Sequence, residues 1–407
     1  MALELPVVSA VIARLPDSAV NLAAFGSVAL PLAMVIEAPI MMLLAASTAL
    51  STDRQSYTRL KRFMLGLGSA LTLFHALLAL TPLYYLLAHN FLDAPQPTLE
   101  PARMGMIVMI PWTFAIAFRR FHQGILIRFG RSRVVGWGTL VRLLTDLTFL
   151  GVGYLLHITP GAVLGCFAVT AGVIVEALFI WKYASETIRE RMPEAAPGVT
   201  LDWQALLHFY VPLALTPFLT MLIYPMMSAA LSRMPDALAS LAVFPVLNSF
   251  TVIIRGLGIA YNEVVIALSG KENALVSLRK FMQILALVTS TLLILVTVTP
   301  AAEAWFLHFT GLAPELAELA VMSLWFYLPV PALTVLQSWY QGIVTGRKQT
   351  RLVIESVALF LLGGAFVLLV GVWWGRTTGI YVGAIAVLCG NFCRVVWLSR
   401  KLRLGIG

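Results

Sequence analysis

The stretch FHQGILIRFGRSRVV (121–135) returns in altered form as WYQGIVTGRKQTRLV (339–353). Each copy closes an apolar run with a Gln-Gly pair, Gln123-Gly124 or Gln341-Gly342, and follows it with basic residues. The pairs lie 218 residues apart, as do Arg133 and Arg351. The same offset relates Pro111 to Pro329, RLKRFM (59–64) to SLRKFM (277–282), and Gly161, Gly165, Ala168 and Gly172 to Gly379, Gly383, Ala386 and Gly390. Nearer the N-terminus, PVVSAVIARLPDSAVNLAAF (6–25) answers PMMSAALSRMPDALASLAVF (225–244) with the offset slipped to 219. A constant offset across separated segments marks a duplication, so the chain is two copies of one unit.

Composition decides where the unit lives. Of the 407 residues, 60% are hydrophobic and 12% charged, and the mean hydropathy is +0.89. A water-facing surface cannot be covered with so few charges. Runs such as FMQILALVTSTLLILVTV are long enough to cross a hydrocarbon core of about 30 Å. The chain is a multi-pass membrane protein. Its net charge of +9 sits in short loops rather than in a stripe, which argues against a nucleic-acid partner. Cys166, Cys389 and Cys393 all fall in apolar segments, so no disulfide framework is expected.

The apolar runs predict helices over 23–50, 63–92, 104–127, 134–157, 159–184, 204–232, 238–268, 281–310, 316–344, 352–374 and 377–401, after a short apolar stub at 2–15. Loops alternate in charge. One side carries Arg54, Arg59, Lys61 and Arg62, then Arg128, Arg131 and Arg133, then Lys182, Arg189 and Arg191. It continues with Lys271, Arg279 and Lys280, with Arg347, Lys348 and Arg351, and with Arg400, Lys401 and Arg403. The other side has Arg14, Arg103, Arg233 and Arg376. The positive-inside rule puts the rich side, and the C-terminus, in the cytoplasm.

The expected fold is all-α and polytopic, with two parallel six-helix repeats related by a pseudo-two-fold along the membrane normal. Residues 1–190 form the first lobe, 191–203 a cytoplasmic linker and 204–407 the second lobe. The stub before the first long helix reaches only about 20 Å, too short to span. The second copy carries HFYVPLALTPFLTMLIY ahead of Pro225, where the first has only MALEL ahead of Pro6. The expectation is a start about 20 residues upstream of Met1, the length of one spanning helix. The alternative is a half-helix lying in the interface.

A charge at mid-membrane costs about 2.5–3.5 kcal/mol on insertion scales, so every intramembrane charge is a candidate functional group. Glu37, Arg142, Asp146, Glu176, Arg255, Glu263 and Arg394 fall inside predicted helices, and Arg119 and Arg120 lie near the end of another. Arg255, with Arg119 or Arg120, can hold a polyanion by bidentate hydrogen bonds. Gln123 and Gln341 join them as candidate substrate contacts, with helix packing or gating as the plainer role. Glu37 and Glu263 are the candidate ion-coupling carboxyls. The 218 offset places Glu176 on Arg394 and Glu37 on or beside Arg255, an arrangement that predicts inter-lobe ion pairs. Arg142 and Asp146, at i and i+4, read as a local pair. His75 and His122 read as packing residues, since neither has a second ligand at metal spacing.

These residues also carry a resemblance. AFRRFHQGILIRFGRSR resembles the end of the fourth helix in the multidrug and toxic compound extrusion superfamily, which includes lipid-linked oligosaccharide flippases. SWYQGIVTGRKQTR matches the equivalent tenth helix. Within that superfamily LTLFHALLALTPLYYLL (71–87), HQGILIRFGRS (122–132), LLHFYVPLAL (206–215) and LWFYLPVPALTVLQSWYQG (324–342) are similar to the progressive ankylosis protein family. The resemblance implies a monomeric exporter of small polyanions such as pyrophosphate, nucleotide phosphates or citrate. No cofactor is implied beyond coupling to H+ or Na+. The alternative within the superfamily is export of cationic drugs or lipid-linked precursors. No Walker loop, HExxH, GxSxG or paired-Asp motif is present, and no loop can hold a catalytic domain, so an enzyme is not expected.

Overall fold

The computed structural model describes residues 4–157, 160–194, 202–269, 274–347 and 349–404. All regular structure among them is helical. The short helix α1 (Glu4–Ala13) is followed by α2 (Ser18–Leu50), α3 (Arg54–Leu80), α4 (Gln96–Val108), α5 (Ile110–Arg128), α6 (Ser132–Leu156) and α7 (Gly161–Arg191). The second half repeats the series as α8 (Trp203–Leu231), α9 (Ala237–Leu268), α10 (Ala274–Val298), α11 (Pro314–Tyr327), α12 (Val330–Gly346), α13 (Thr350–Trp374) and α14 (Gly379–Leu404). Nine of these are long and apolar enough to cross a membrane alone, and α4–α5 and α11–α12 do so as bent pairs, making up to eleven spans among the described residues. Most of the expected linker (195–201), together with Lys271 and Lys348, lies outside them.

The bends follow the repeat. The α4–α5 pair turns by 44° just ahead of Pro111, and the α11–α12 pair by 47° at Pro329. A proline gives no N–H to the preceding turn and breaks the ladder there. The expected helices 63–92 and 281–310 are likewise interrupted. Thr81-Pro82 and Thr299-Pro300 stand at the breaks, with Thr81 in extended conformation as the residue before a proline prefers. π-helical turns, Leu86–Phe91 and Trp305–Phe309, follow. The slip in the repeat has a structural home too. Between residues 25 and 59 the first copy carries one residue more than the second, and α2 contains a π-helical turn at Ala24–Ala29 where α9 runs as plain α-helix. A π turn accommodates one extra residue.

Glycines set how closely the helices cross. A Cβ on Gly124 would run into Ser47 and the Leu44 carbonyl of α2, and one on Gly342 would come within 2.6 Å of Val265 of α9. This is the reason the Gln-Gly pair returns. The glycine lets α5 lie on α2 and α12 on α9, and the glutamine, one residue earlier, turns toward the last helix of its own half.

The halves meet where a residue touches its own repeat image. Gly26 packs on the ring of Pro245, its equivalent at offset 219, and Ser27 Oγ donates to the Leu241 carbonyl at 2.6 Å. The pseudo-two-fold therefore passes between α2 and α9. The last helix of each half is held internally. Asn21 Oδ1 accepts from the Ala162 N–H and its equivalent, Ser240 Oγ, from the Ile380 N–H, at 3.0 and 3.1 Å.

On the basic face Asp53 caps α3, accepting from the Gln55 and Ser56 N–H groups, each at 2.9 Å, with Thr52 and Ser56 hydroxyls on its other oxygen. Burial acts to raise its pKa, but these hydrogen bonds outweigh it and hold the carboxyl below its ordinary value. A depressed carboxyl stabilises the fold above its unfolded pKa, and that contribution fades as pH falls through the folded value. Asp53→Ala is expected to lower stability by about 0.5–2 kcal/mol at neutral pH. In thermal unfolding the gap from the native protein should narrow under acid conditions.

Candidate functional site

The two halves treat the same positions in opposite ways. In the first, Glu176 on α7 is fully buried and surrounded. Arg119 Nη1 meets its Oε2 at 2.5 Å, Gln123 Nε2 donates to its Oε1 at 3.0 Å, and Arg142 Nη1 stands 3.6 Å away. Arg142 Nη2 also pairs with Glu4 of α1 at 2.5 Å. Asp146 accepts no hydrogen bond among the described residues, and Glu4 is the foremost of the charges that face it. Two carboxylates, Glu4 and Glu176, thus share Arg142, and Glu176 also holds Arg119. Arg119, Arg142 and Glu176 are buried, so the network is a packed core.

Two sequence expectations are corrected by this packing. Arg142 does not pair with Asp146 one turn along its own helix, because Glu4 and Glu176 reach it from neighbouring helices. Glu176 does not pair with Arg394 across the halves. Each belongs to the last helix of its half, which packs on its own repeat and away from the axis at Gly26 and Pro245. Arg119, a candidate substrate contact, is instead buried in this network, its side chain only 2% exposed.

In the second half the equivalent residues line a cavity of about 370 Å3. Arg394 replaces Glu176, Gln337 replaces Arg119 and Phe360 replaces Arg142. Arg394 Nη2 donates to Gln341 Oε1 at 2.9 Å. The glutamine that donates in the first half therefore accepts in the second. Arg255, the equivalent of Glu37, donates from Nε to Thr334 Oγ1 at 2.9 Å. Among the described residues neither arginine has an ion-pair partner, and Arg394 Nε has no hydrogen-bond partner at all. Glu263 lines the same cavity, exposed, as do Asn248, Asn262 and Asn391.

The remaining expected residues fall elsewhere. Glu37 is buried with Oε2 unpartnered, and the charges facing it are Arg120, Arg119 and Arg142 rather than Arg255. Arg120 reaches Met41 Sδ at 3.6 Å. Neither residue lines the cavity, which adjoins the seam between the halves through Tyr224, Phe244 and Asn248. His75 is a packing residue. Its Nε2 donates to the Met106 carbonyl and its Nδ1 accepts from Thr113, which fixes the tautomer. Glu4 and Gln337 were missed in the sequence. The repeat offset would have found Gln337, which stands on Arg119.

A two-fold repeated helical membrane protein with a polar cavity beside its seam is the class that fold and site define. Solved structures that superpose on this fold include transporters and a flippase. An inward-facing multidrug resistance MATE family transporter of the MOP superfamily superposes with a TM-score of 0.76 at 16% identity, covering 100% of this chain and 95% of that one. The outward-facing conformation of such a transporter gives 0.62. The lipid II flippase MurJ, in an inward closed conformation, gives 0.63 at 14% identity over 98% and 86% of the two chains. A MOP superfamily transporter from Pyrococcus furiosus Vc1, described as having a binding pocket of reversed polarity, gives 0.59 at 16% identity over 100% and 94%. No protein-family model and no curated protein matches the sequence.

Proposed function

We propose that the protein is a secondary exporter of small polyanions, working by alternating access between a first lobe (1–190) and a second (204–407) joined by 191–203. The observation that carries this reading is the pair Arg255, half-buried, and Arg394, buried, which line one cavity and have no ion-pair partner among the described residues, Glu263 on the same cavity included. An unpaired buried charge costs several kcal/mol, and an anion bridging both guanidiniums would offset that cost with charge-assisted hydrogen bonds. The cavity volume falls in the range of small-molecule sites, roughly 300–1,000 Å3. Gln341 and the three asparagines supply further polar contacts, while two arginines make a poor host for a cationic drug. Pyrophosphate, nucleotide phosphates and citrate are the ligands this chemistry shares with the progressive ankylosis resemblance.

Coupling to H+ or Na+ falls to Glu37, buried in the first lobe with Oε2 unpartnered, and to Glu263 on the cavity of the second. The basic face and the C-terminus lie in the cytoplasm, of an inner membrane if the cell is bacterial. A second reading, a lipid-linked diphosphate, is favoured by a separate apolar groove of about 420 Å3 lined by Met226, Ala230, Leu368, Leu369 and Val372. Flux of labelled pyrophosphate, ATP and citrate, a lipid-linked diphosphate and a cationic dye, measured in proteoliposomes with and without a proton gradient, tests both. Gradient-driven flux of the free anions is expected. Lipid movement alone would favour the second reading, and dye flux alone would contradict both.

A further inference from the structure

The face opposite the basic loops carries four cations, Arg14, Arg103, Arg233 and Arg376. Two of them stand in the repeated phrases RLPD (14–17) and RMPD (233–236), in the turns after α1 and α8. Both phrases end in an aspartate held in the left-handed region, with φ of 53° at Asp17 and 55° at Asp236. Each arginine folds back over the helix it follows. Arg14 Nη1 donates to the Ala10 carbonyl at 2.6 Å, and Arg233 Nη1 to the equivalent Ala229 carbonyl at 2.5 Å.

The free end of each guanidinium then crosses to the other half. Arg14 donates to the carbonyls of His308, Phe309 and Thr310, at 2.6, 2.8 and 3.0 Å. Arg233 donates to the Phe91 carbonyl at 3.0 Å, and its Nε lies 4.0 Å from the Asp93 carboxylate. Phe91 and Phe309 are repeat equivalents, each the last residue of a π-helical turn. A helical C-terminus presents unpaired carbonyls and partial negative charge, which a guanidinium satisfies. Gly311, at φ 76°, keeps room for Arg14, since a Cβ there would lie 3.0 Å from the guanidinium. Its equivalent, Asp93, instead supplies a carboxylate to Arg233.

We propose that Arg14 and Arg233 form a reciprocal latch that closes the face opposite the basic loops, each half clasping the π-turn terminus of the other. The proposal rests on the alternating-access reading, because the bonds must break for that face to open. Both arginines are exposed, so water can replace the carbonyls and the latch releases without stranding a buried charge. The closer likeness to an inward-facing than to an outward-facing structure agrees with a face held shut.

The test reads conformation and needs no substrate. Spin labels at Gln96→Cys and Glu315→Cys, two exposed positions near the latch on opposite halves, are placed in full-length protein with Cys166, Cys389 and Cys393 replaced by alanine. Pulsed dipolar spectroscopy in nanodiscs then compares native arginines with Arg14→Met/Arg233→Met. The native latch should give mainly the short distance. The double variant should raise the ratio of long to short distances by about tenfold, the effect of roughly 1.4 kcal/mol. The single variants, read the same way, should each give an intermediate rise and serve if the double variant is not recovered. Unchanged distributions would overturn the latch while leaving the transport reading standing. Flux failing on every substrate would sink the transport reading without touching this measurement.

Discussion

Glu176→Gln is expected to lower stability by about 3–5 kcal/mol, the usual cost of removing one partner from a buried ion pair. The carboxylate faces Arg119, Gln123 and Arg142 together, and the amide strands the buried Arg119 guanidinium, while Arg142 keeps Glu4. The loss should appear as a lower midpoint in thermal unfolding of the detergent-solubilised protein and as poor membrane yield. Arg119→Gln added to the same chain should restore much of it, because it reproduces the Gln337 and Gln341 pair of the second half and removes the stranded charge. Equal instability in the double variant would mean that packing around Glu176, not charge, is what the network supplies.

The matching change in the second half should do the reverse. Arg255→Gln/Arg394→Gln is expected to leave the unfolding midpoint unchanged or raise it, since one buried and one half-buried charge, neither of them ion-paired, disappear. Polyanion flux should fall by at least about 100-fold, because each hydrogen bond to a charged group contributes roughly 1.5–3 kcal/mol. Arginines that matter to the fold and arginines held for a ligand are thereby separated by the sign of their effect on stability. Glutamine at 394 retains a donor for Gln341 Oε1, so the cavity wall is disturbed little.

Much of the fold is legible in the sequence because it rests on local rules. Apolar runs of spanning length, the 218 offset, the prolines at 111 and 329 and the glycines at 124 and 342 are each visible as letters. Even the one-residue slip is visible, though only the structure shows that a π-helical turn at Ala24–Ala29 absorbs it. The candidate site was legible as a list of charges but not as a partition. Offsets say which positions are equivalent; they do not say how far each lies from the symmetry axis. Glu176 and Arg394 are equivalent, but each stands on a helix that packs within its own half, so each found partners at home. Gly26 and Pro245 are equivalent and on it, so they touch. Spacing on one helix likewise suggested Arg142 with Asp146, whereas three helices compete for that guanidinium and Glu4 and Glu176 bond to it.

On the proposed reading, Arg255 and Arg394 are kept unpaired for an anion. The measurement that reaches it most directly is thermal unfolding of the purified protein titrated with inorganic pyrophosphate, for the native chain and for Arg255→Gln/Arg394→Gln. A ligand that binds only the folded state raises its stability with concentration. The native midpoint should climb with pyrophosphate, and the double variant should not respond. A native protein indifferent to pyrophosphate, ATP and citrate alike, or a variant that responds as the native does, would contradict the account.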